Sequence, residues 1–421
     1  MNVLRTVSCL YRCAIATSFA STLFLGSAGN LSAQIETKEP TASLCAPHVL
    51  DEKVVATWQQ RLEAGNIARP TGIVGPTGFD WSDTQLGIVK RRDGAGYLFF
   101  GSDGSCHGHC GTAEERDGSI TRTVGTLDDP LGTKPPREFI LPQSTQFKEN
   151  SIVYVGGGPV LRVPDGHPGA GNLLVVYQAA RLTDLVNQDG EYTMTGVAKS
   201  TDEGLTWTDL GLIVSANVPF KRGAAPSVNE YDGGTPGNLV PDASGRYFYY
   251  YFPDKVKSGG VGGSDLTFFS VARVPMDEFL RAAFDCDTPR ALPSFEKYYQ
   301  GKWDQPGLGG LSTSVLNPQS SAGDPVVTWS DYLKRYVVIF DDTQTIGYAD
   351  SEDGLHWPSV QRLTTASSAA SVLYAAPAGK GDDAGVVGKE FYIFYTYYPN
   401  QGGWGSASIR RLNVECENRI N

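Results

Sequence analysis

Ser200-Thr201-Asp202-Glu203-Gly204-Leu205-Thr206-Trp207 is the stretch that decides how this chain reads. The spacing S-x-D-x-G-x-T-W is that of an Asp-box, a tight β-turn built by its own side chains. The serine and aspartate hold the turn, the glycine supplies a backbone angle that other residues resist, and the tryptophan plugs the sheet behind it. Upstream of it lie three apolar, β-branched runs separated by turn formers: Pro159-Val-Leu-Arg-Val163, Asn172-Leu-Leu-Val-Val-Tyr177 and Tyr192-Thr-Met-Thr-Gly-Val-Ala198. Each has the length and composition of a strand. Together with the Asp-box they form one unit of a repeat.

The same order recurs four more times, at residues 84–100, 237–273, 325–357 and 370–412. Ser351-Glu-Asp-Gly-Leu-His-Trp357 is a shortened second Asp-box. Five copies of one supersecondary unit imply five blades around an axis. The expectation is therefore an all-β, five-bladed β-propeller with four-stranded antiparallel blades over residues 78–421. Trp207 and Trp357 should occupy equivalent buried places on two of the blades. Helical periodicity is confined to residues 276–283 and 51–64, both read as packing elements.

The N-terminus has a different character. Residues 1–33 carry Arg5 and Arg12, no acid, a 13-residue apolar stretch from Cys13 to Leu25, and the small-residue ending Leu31-Ser-Ala33. This is the layout of a secretory signal peptide cleaved after Ala33, and it is too short to span a bilayer, which takes about 20 residues. Residues 34–77 read as an N-terminal extension. Export predicts a secreted or periplasmic protein without a membrane anchor. Once the leader is gone, 33 basic residues face 46 acidic ones, a formal charge of −13. Such a surface repels phosphate backbones and argues against a nucleic-acid partner. A monomer is expected.

Five cysteines remain in the exported chain: Cys45, Cys106, Cys110, Cys286 and Cys416. An oxidising compartment favours pairing, and an odd count leaves one over. Cys106 and Cys110 enclose His107-Gly-His109, a spacing read as a local disulfide, with a zinc clasp as the alternative. Which of Cys45, Cys286 and Cys416 pair is open.

The blade order, the two Asp-boxes and the passages Val274-Pro-Met-Asp-Glu-Phe279, Phe295-Glu-Lys-Tyr-Tyr-Gln-Gly-Lys-Trp303 and Pro325-Val-Val-Thr-Trp-Ser-Asp-Tyr332 carry a resemblance. Over about residues 78–414 the chain resembles the five-bladed glycoside hydrolases of the arabinanase, fructosidase and levansucrase kind. The likeness is greatest to bacterial endo-arabinanase-like proteins with a sialidase-like propeller. The resemblance implies a carbohydrate substrate, with an arabinofuranoside-containing one among those expected. It also implies two carboxylates where innermost strands begin, one protonating the departing oxygen while the other attacks or activates water.

At those places the sequence offers Asp83 in blade one as base or nucleophile and Asp324 in blade four as acid, where the family pattern has Glu. Glu230, with Asp232 nearby, stands upstream of blade three, and blade two has only Gly156-Gly-Gly158. Asp80, Trp81, Arg181, Arg222 and Asp341 are candidates for holding the sugar. Asp103, Asp254 and Asp342 also end second strands, and Tyr231 and Tyr397-Tyr398 are candidates for stacking on it. No cofactor and no catalytic metal is expected, and a structural ion in the central channel is left open. Two other readings stand beside the hydrolase. One is a non-catalytic glycan-binding propeller, and the other is a sialidase, which needs a cluster of three arginines.

Overall fold

The structure is a computed structural model that describes residues 42–57, 60, 84–103, 119–132, 138–139, 152–184, 189–217, 220, 231–232, 237–256, 266–285, 291–316, 323–399 and 407–419. In chain order the first strand is β1 (Cys45–Ala56). Blade one follows as β2 (Gly87–Lys90), β3 (Tyr97–Asp103), β4 (Ser119–Gly125) and β5 (Glu138–Phe139). Blade two is β6 (Ile152–Arg162), β7 (Leu173–Asp184), β8 (Asp189–Ser200) and β9 (Thr208–Ser215), with the short β10 (Tyr231–Asp232) beside it. Blade three is β11 (Leu239–Pro241), β12 (Tyr247–Val256), β13 (Leu266–Pro275), β14 (Glu296–Tyr299) and β15 (Lys302–Pro306), with helix α1 (Met276–Phe284) after β13. Blade four is β16 (Gly323–Ser330), β17 (Arg335–Asp341), β18 (Thr345–Ser351) and β19 (Gln361–Thr365). Blade five takes β20 (Ser371–Gly379), β22 (Glu390–Tyr398) and β23 (Ser408–Asn418), while β21 (Val386–Val387) joins blade four.

The chain is thus an all-β, five-bladed propeller. Two departures from uniform four-stranded antiparallel blades are visible. Blade three has a fifth antiparallel strand, and β10 and β21 add two-residue parallel pairings to β8 and β16. Tyr231 and Asp232, read as belonging upstream of blade three, therefore hydrogen-bond to blade two.

The ring closes through β1. Residues 51–56, expected to start a helix, are strand, and the stretch read as an extension supplies the outermost strand of blade five. β1 pairs antiparallel with β23, from Cys45 opposite Asn418 to Ala56 opposite Ile409, and a disulfide joins Cys45 to Cys416. Pairing to a strand at the other end of the chain overrides the weak local helical pattern, as tertiary context commonly does. The buried Asp350 carboxylate on β18 accepts from the Leu44 and Cys45 amides at 3.0 and 3.2 Å and from the Ser43 hydroxyl. The N-terminal segment is therefore tied to blade four before it runs along blade five. Cys106 and Cys110 lie outside the described residues.

Both Asp-boxes close as their spacing predicts. In the first, the Gly204 amide donates to Ser200 Oγ at 2.9 Å, the Thr206 amide to Asp202 Oδ1 at 2.9 Å, and Trp207 Nε1 to the Gly204 carbonyl at 3.2 Å. In the second, Trp357 Nε1 donates to the Gly354 carbonyl at 3.0 Å. Each box follows the third strand of its blade and packs on the preceding blade. Trp207 meets Phe100 edge-on at 5.7 Å, and Trp357 meets Tyr251 and Phe269 at about 6 Å. Gly204 and Gly354 have φ of 79° and 74°, and a Cβ on either would strike Phe100 or the Tyr251 hydroxyl. The two tryptophans are equivalent in place but not in burial. Trp357 is 1% exposed, whereas Trp207 is only half-buried. Trp357→Ala is expected to cost about 3–5 kcal/mol. Trp207→Ala is expected to cost less, about 1.5–3 kcal/mol. Urea unfolding of the two variants checks the order, and equal losses would contradict it.

Candidate functional site

Innermost strands begin, and second strands end, at one end of the axis. Ile152 pairs with Arg181 in blade two, Gly323 with Asp341 in blade four, and Ser371 with Tyr398 in blade five. The first Asp-box lies at the opposite end, since Ser200 pairs with Leu173 where β7 starts. We call the first end the mouth. Of the residues singled out from the sequence, Asp80, Trp81, Asp83, Arg222 and Glu230 lie outside the described residues. Asp324, Asp341, Arg181 and Asp254 can be placed.

Asp324 lies in a β-bulge. In β16, Gly323 opposes Asp341 and Val326 opposes Ile339, so three steps on the inner strand match two on its neighbour. The same bulge recurs in blade two, between Gly157 and Val160, and in blade five, between Leu373 and Ala376. Residue by residue, Gly323-Asp324-Pro325-Val326 corresponds to Gly157-Gly158-Pro159-Val160 and to Leu373-Tyr374-Ala375-Ala376. Bulges of this kind gather beside active sites and barrel rims. The position of Asp324 is filled by glycine in one blade and by tyrosine, at a φ of 62°, in another. The bulge itself therefore does not require an acid. Sequence reasoning singled out Asp324 but not the bulge, because an extra residue leaves no mark in a short apolar run.

Asp341 is buried and its Oδ2 accepts the Ala375 amide at 3.3 Å, which ties the end of β17 to the bulge of the next blade. Asp342 is a turn former, accepting from the amides of Gln344 at 3.2 Å and Thr345 at 2.6 Å. Arg181 is half-buried, its guanidinium 5.2 Å above the ring of Phe220, which in turn meets Tyr192 edge-on at 5.5 Å.

Beneath this group lies a polar network that the sequence did not suggest. Lys297 and Asp254 are both fully buried. The ammonium donates to Asp254 Oδ2 at 2.9 Å, to the Ser215 carbonyl of blade two at 2.8 Å and to the Gly310 carbonyl at 3.0 Å. Asp254 Oδ2 also accepts the Ser312 hydroxyl at 2.7 Å, while Oδ1 has no hydrogen-bond partner among the described residues. Burial pushes the Asp254 carboxyl up from its ordinary value against the pull of Lys297, and pushes the Lys297 ammonium down. One layer lower, Thr195 and Tyr250 share a hydrogen bond of 2.9 Å across the same seam. Nothing marked Lys297 beforehand, since a strand lysine ordinarily points to water. At blade one, the buried Gln85 amide has no hydrogen-bond partner for either polar atom among the described residues.

At the other end of the axis a cavity of about 490 Å³ is lined by Val160, Leu161, Leu239, Pro241, Trp329 and Val386, among others. The Asn238 amide at its edge is engaged with Val327 in the inner strand of blade four. Among the described residues, no group of three or more His, Cys, Asp or Glu is placed to hold a metal ion.

No family model and no curated protein matches the chain. Among solved structures it is similar to Zg3597, a family 117 glycoside hydrolase from Zobellia galactanivorans, at 14% identity over 89% of this chain and 92% of that one, with a TM-score of 0.48. It is also similar to a GH43 endo-arabinanase from Bacillus licheniformis, at 12% identity over 79% and 94% of the two chains and a TM-score of 0.42. A protein of unknown function from Dyadobacter fermentans is matched at 10% identity over 88% and 99%, with a TM-score of 0.44. At such identities the likeness concerns the path of the chain alone.

The buried pair has a stability consequence. Lys297→Met removes the cation beside the buried Asp254, and with it three hydrogen bonds. Losing one partner of a buried ion pair is expected to cost about 3–5 kcal/mol, measured as the shift in urea-unfolding free energy. A loss under about 1 kcal/mol, as for an exposed pair, would contradict the burial.

Proposed function

We propose that this protein is an exported glycoside hydrolase that cleaves a polysaccharide or oligosaccharide at the propeller mouth by a two-carboxylate mechanism. Asp324 is the general acid and Asp83 the base or nucleophile, with Glu230 held in reserve for the acid role. Asp80, Trp81, Arg181 and Arg222 surround the sugar, and the buried Asp341 holds the bulge of blade five beside it through the Ala375 amide. One observation carries the reading: Asp324 occupies a bulge position at the mouth whose equivalents are Gly158 and Tyr374. Export is supported by the leader-like residues 1–33 and by the Cys45–Cys416 disulfide, a bond that persists in oxidising compartments. No helix among the described residues is long and apolar enough to cross a membrane.

The chemistry follows from the pairing of acids on different blades. One carboxyl must be protonated to donate to the leaving oxygen while the other is ionised, which burial of one and the charge of the other bring about. The rate should then pass through a maximum with pH, falling at the acid side as the base protonates and at the alkaline side as the acid ionises. A second reading, a glycan-binding propeller without chemistry, is favoured by the bulges of blades two and five, which hold no acid.

Hydrolysis of linear arabinan, inulin and levan by the exported form, with analysis of the products, separates the two. Asp324→Asn and Asp83→Asn should each lower turnover at least about 100-fold. Asp324→Gly, which installs the blade-two residue, should do the same while leaving the unfolding midpoint unchanged. Full activity in Asp324→Asn and Asp83→Asn would overturn the assignment, and binding without cleavage by the unmodified protein would favour the second reading.

A further inference from the structure

The geometry points to Asp254 and Lys297 as positioning residues for the mouth, fixing the ends of β9 and β12 relative to each other beneath the bound glycan. This role rests on the hydrolase reading above. The Lys297 ammonium has three N–H bonds, and all three are engaged, at 2.8–3.0 Å, by groups from three separate places. Ser215 is the last residue of β9 in blade two, Gly310 lies in the turn after β15, and Asp254 stands near the mouth end of β12. Backbone pairing does not ask for these side chains. Lys297 pairs with Ala272 and Asp254 with Phe268 whatever their side chains are. The Phe252 ring lies 5.2 Å from the ammonium.

A seam of this kind packs as well or better with hydrocarbon, and buried ion pairs are often dispensable for stability when both members are replaced together. What the pair supplies is direction. A hydrocarbon contact tolerates sliding, whereas an ammonium bound in three directions does not. The element it holds leads straight to the mouth. Beyond Ser215 the chain passes through Asn217 to Phe220, and Phe220 lies against both Arg181 and Tyr192. Ser215 also shares a hydrogen bond with Tyr192, whose ring meets the Phe220 ring beneath the Arg181 guanidinium, so the end of β9 and that ring are joined by contact. A displacement of about 1 Å in an active site is enough to cost about 100-fold in rate. Among the described residues, Asn217 Oδ1 and Asp254 Oδ1 are buried without a hydrogen-bond partner.

Three variants test the role: Asp254→Asn, Lys297→Met, and the double replacement Asp254→Leu with Lys297→Met. Amide hydrogen exchange is measured for all of them, together with kcat and KM on linear arabinan, inulin and levan. The role predicts exchange at residues 215–217 and 254–256 faster by about 10-fold or more, with blade five protected as before, and kcat lower by about 10-fold or more at nearly unchanged KM. The double variant should show this even where its unfolding midpoint matches that of the unmodified protein. Unchanged kcat in a folded variant would overturn the role, and so would exchange that quickens in all five blades together, which marks a purely structural pair. Should the unmodified protein hydrolyse none of the three polysaccharides, the hydrolase reading fails, while the exchange pattern still decides whether the pair holds the mouth.

Discussion

Everything at the mouth depends on ring closure, and closure depends on β1. Blade five owns only three strands from its own end of the chain, and its outer edge is supplied by residues 45–56. Three kinds of bond hold that strand. The backbone ladder to β23 gives the register, the Cys45–Cys416 disulfide joins positions 371 residues apart, and Asp350 gathers the amides of Leu44 and Cys45 onto blade four. Joining distant residues restricts the unfolded chain most. An open ring would have two free sheet edges and no fixed axis, so residues from blades one and four would have no constant separation.

Hydrophobic packing joins neighbouring blades, and polar contacts between them fix their direction seam by seam. The Thr84 hydroxyl donates to the Gly157 carbonyl between blades one and two, and Lys297 reaches the Ser215 carbonyl between two and three. Asn238 exchanges hydrogen bonds with the Val327 backbone between three and four, and Asp341 accepts the Ala375 amide between four and five. The nearly buried Arg411 completes the circle, donating at 2.8 Å to Asp128 of blade one. The repeated bulge lies among these contacts. It sets the same backbone shape in blades two, four and five and leaves its central position free to vary, so a functional side chain can be installed there without disturbing the fold.

The strands were legible because their composition is local. Runs such as Tyr336-Val-Val-Ile-Phe340 and Phe391-Tyr-Ile-Phe-Tyr395, bounded by turn formers, need no distant information, and the Asp-boxes carry their own hydrogen bonds. β1 was not legible because Asp51, Glu52 and Lys53 give it a polar, helix-compatible look, while its partner lies at the far end of the chain. Lys297 escaped notice for the opposite reason: its local pattern is that of an ordinary strand, and only the assembled seam turns it inward. The candidate acids were found by position in the repeat. That logic brought Asp324 and Asp341 to opposing strands, but it did not anticipate that Asp341 would be spent on the neighbouring blade.

The most direct measurement is a crystal structure of the Asp324→Asn protein with an arabino-oligosaccharide bound. The account predicts the sugar at the mouth, against the bulge of β16 and within reach of residue 324. A sugar seated instead in the lower axial cavity beside Trp329, with the mouth empty, would contradict it.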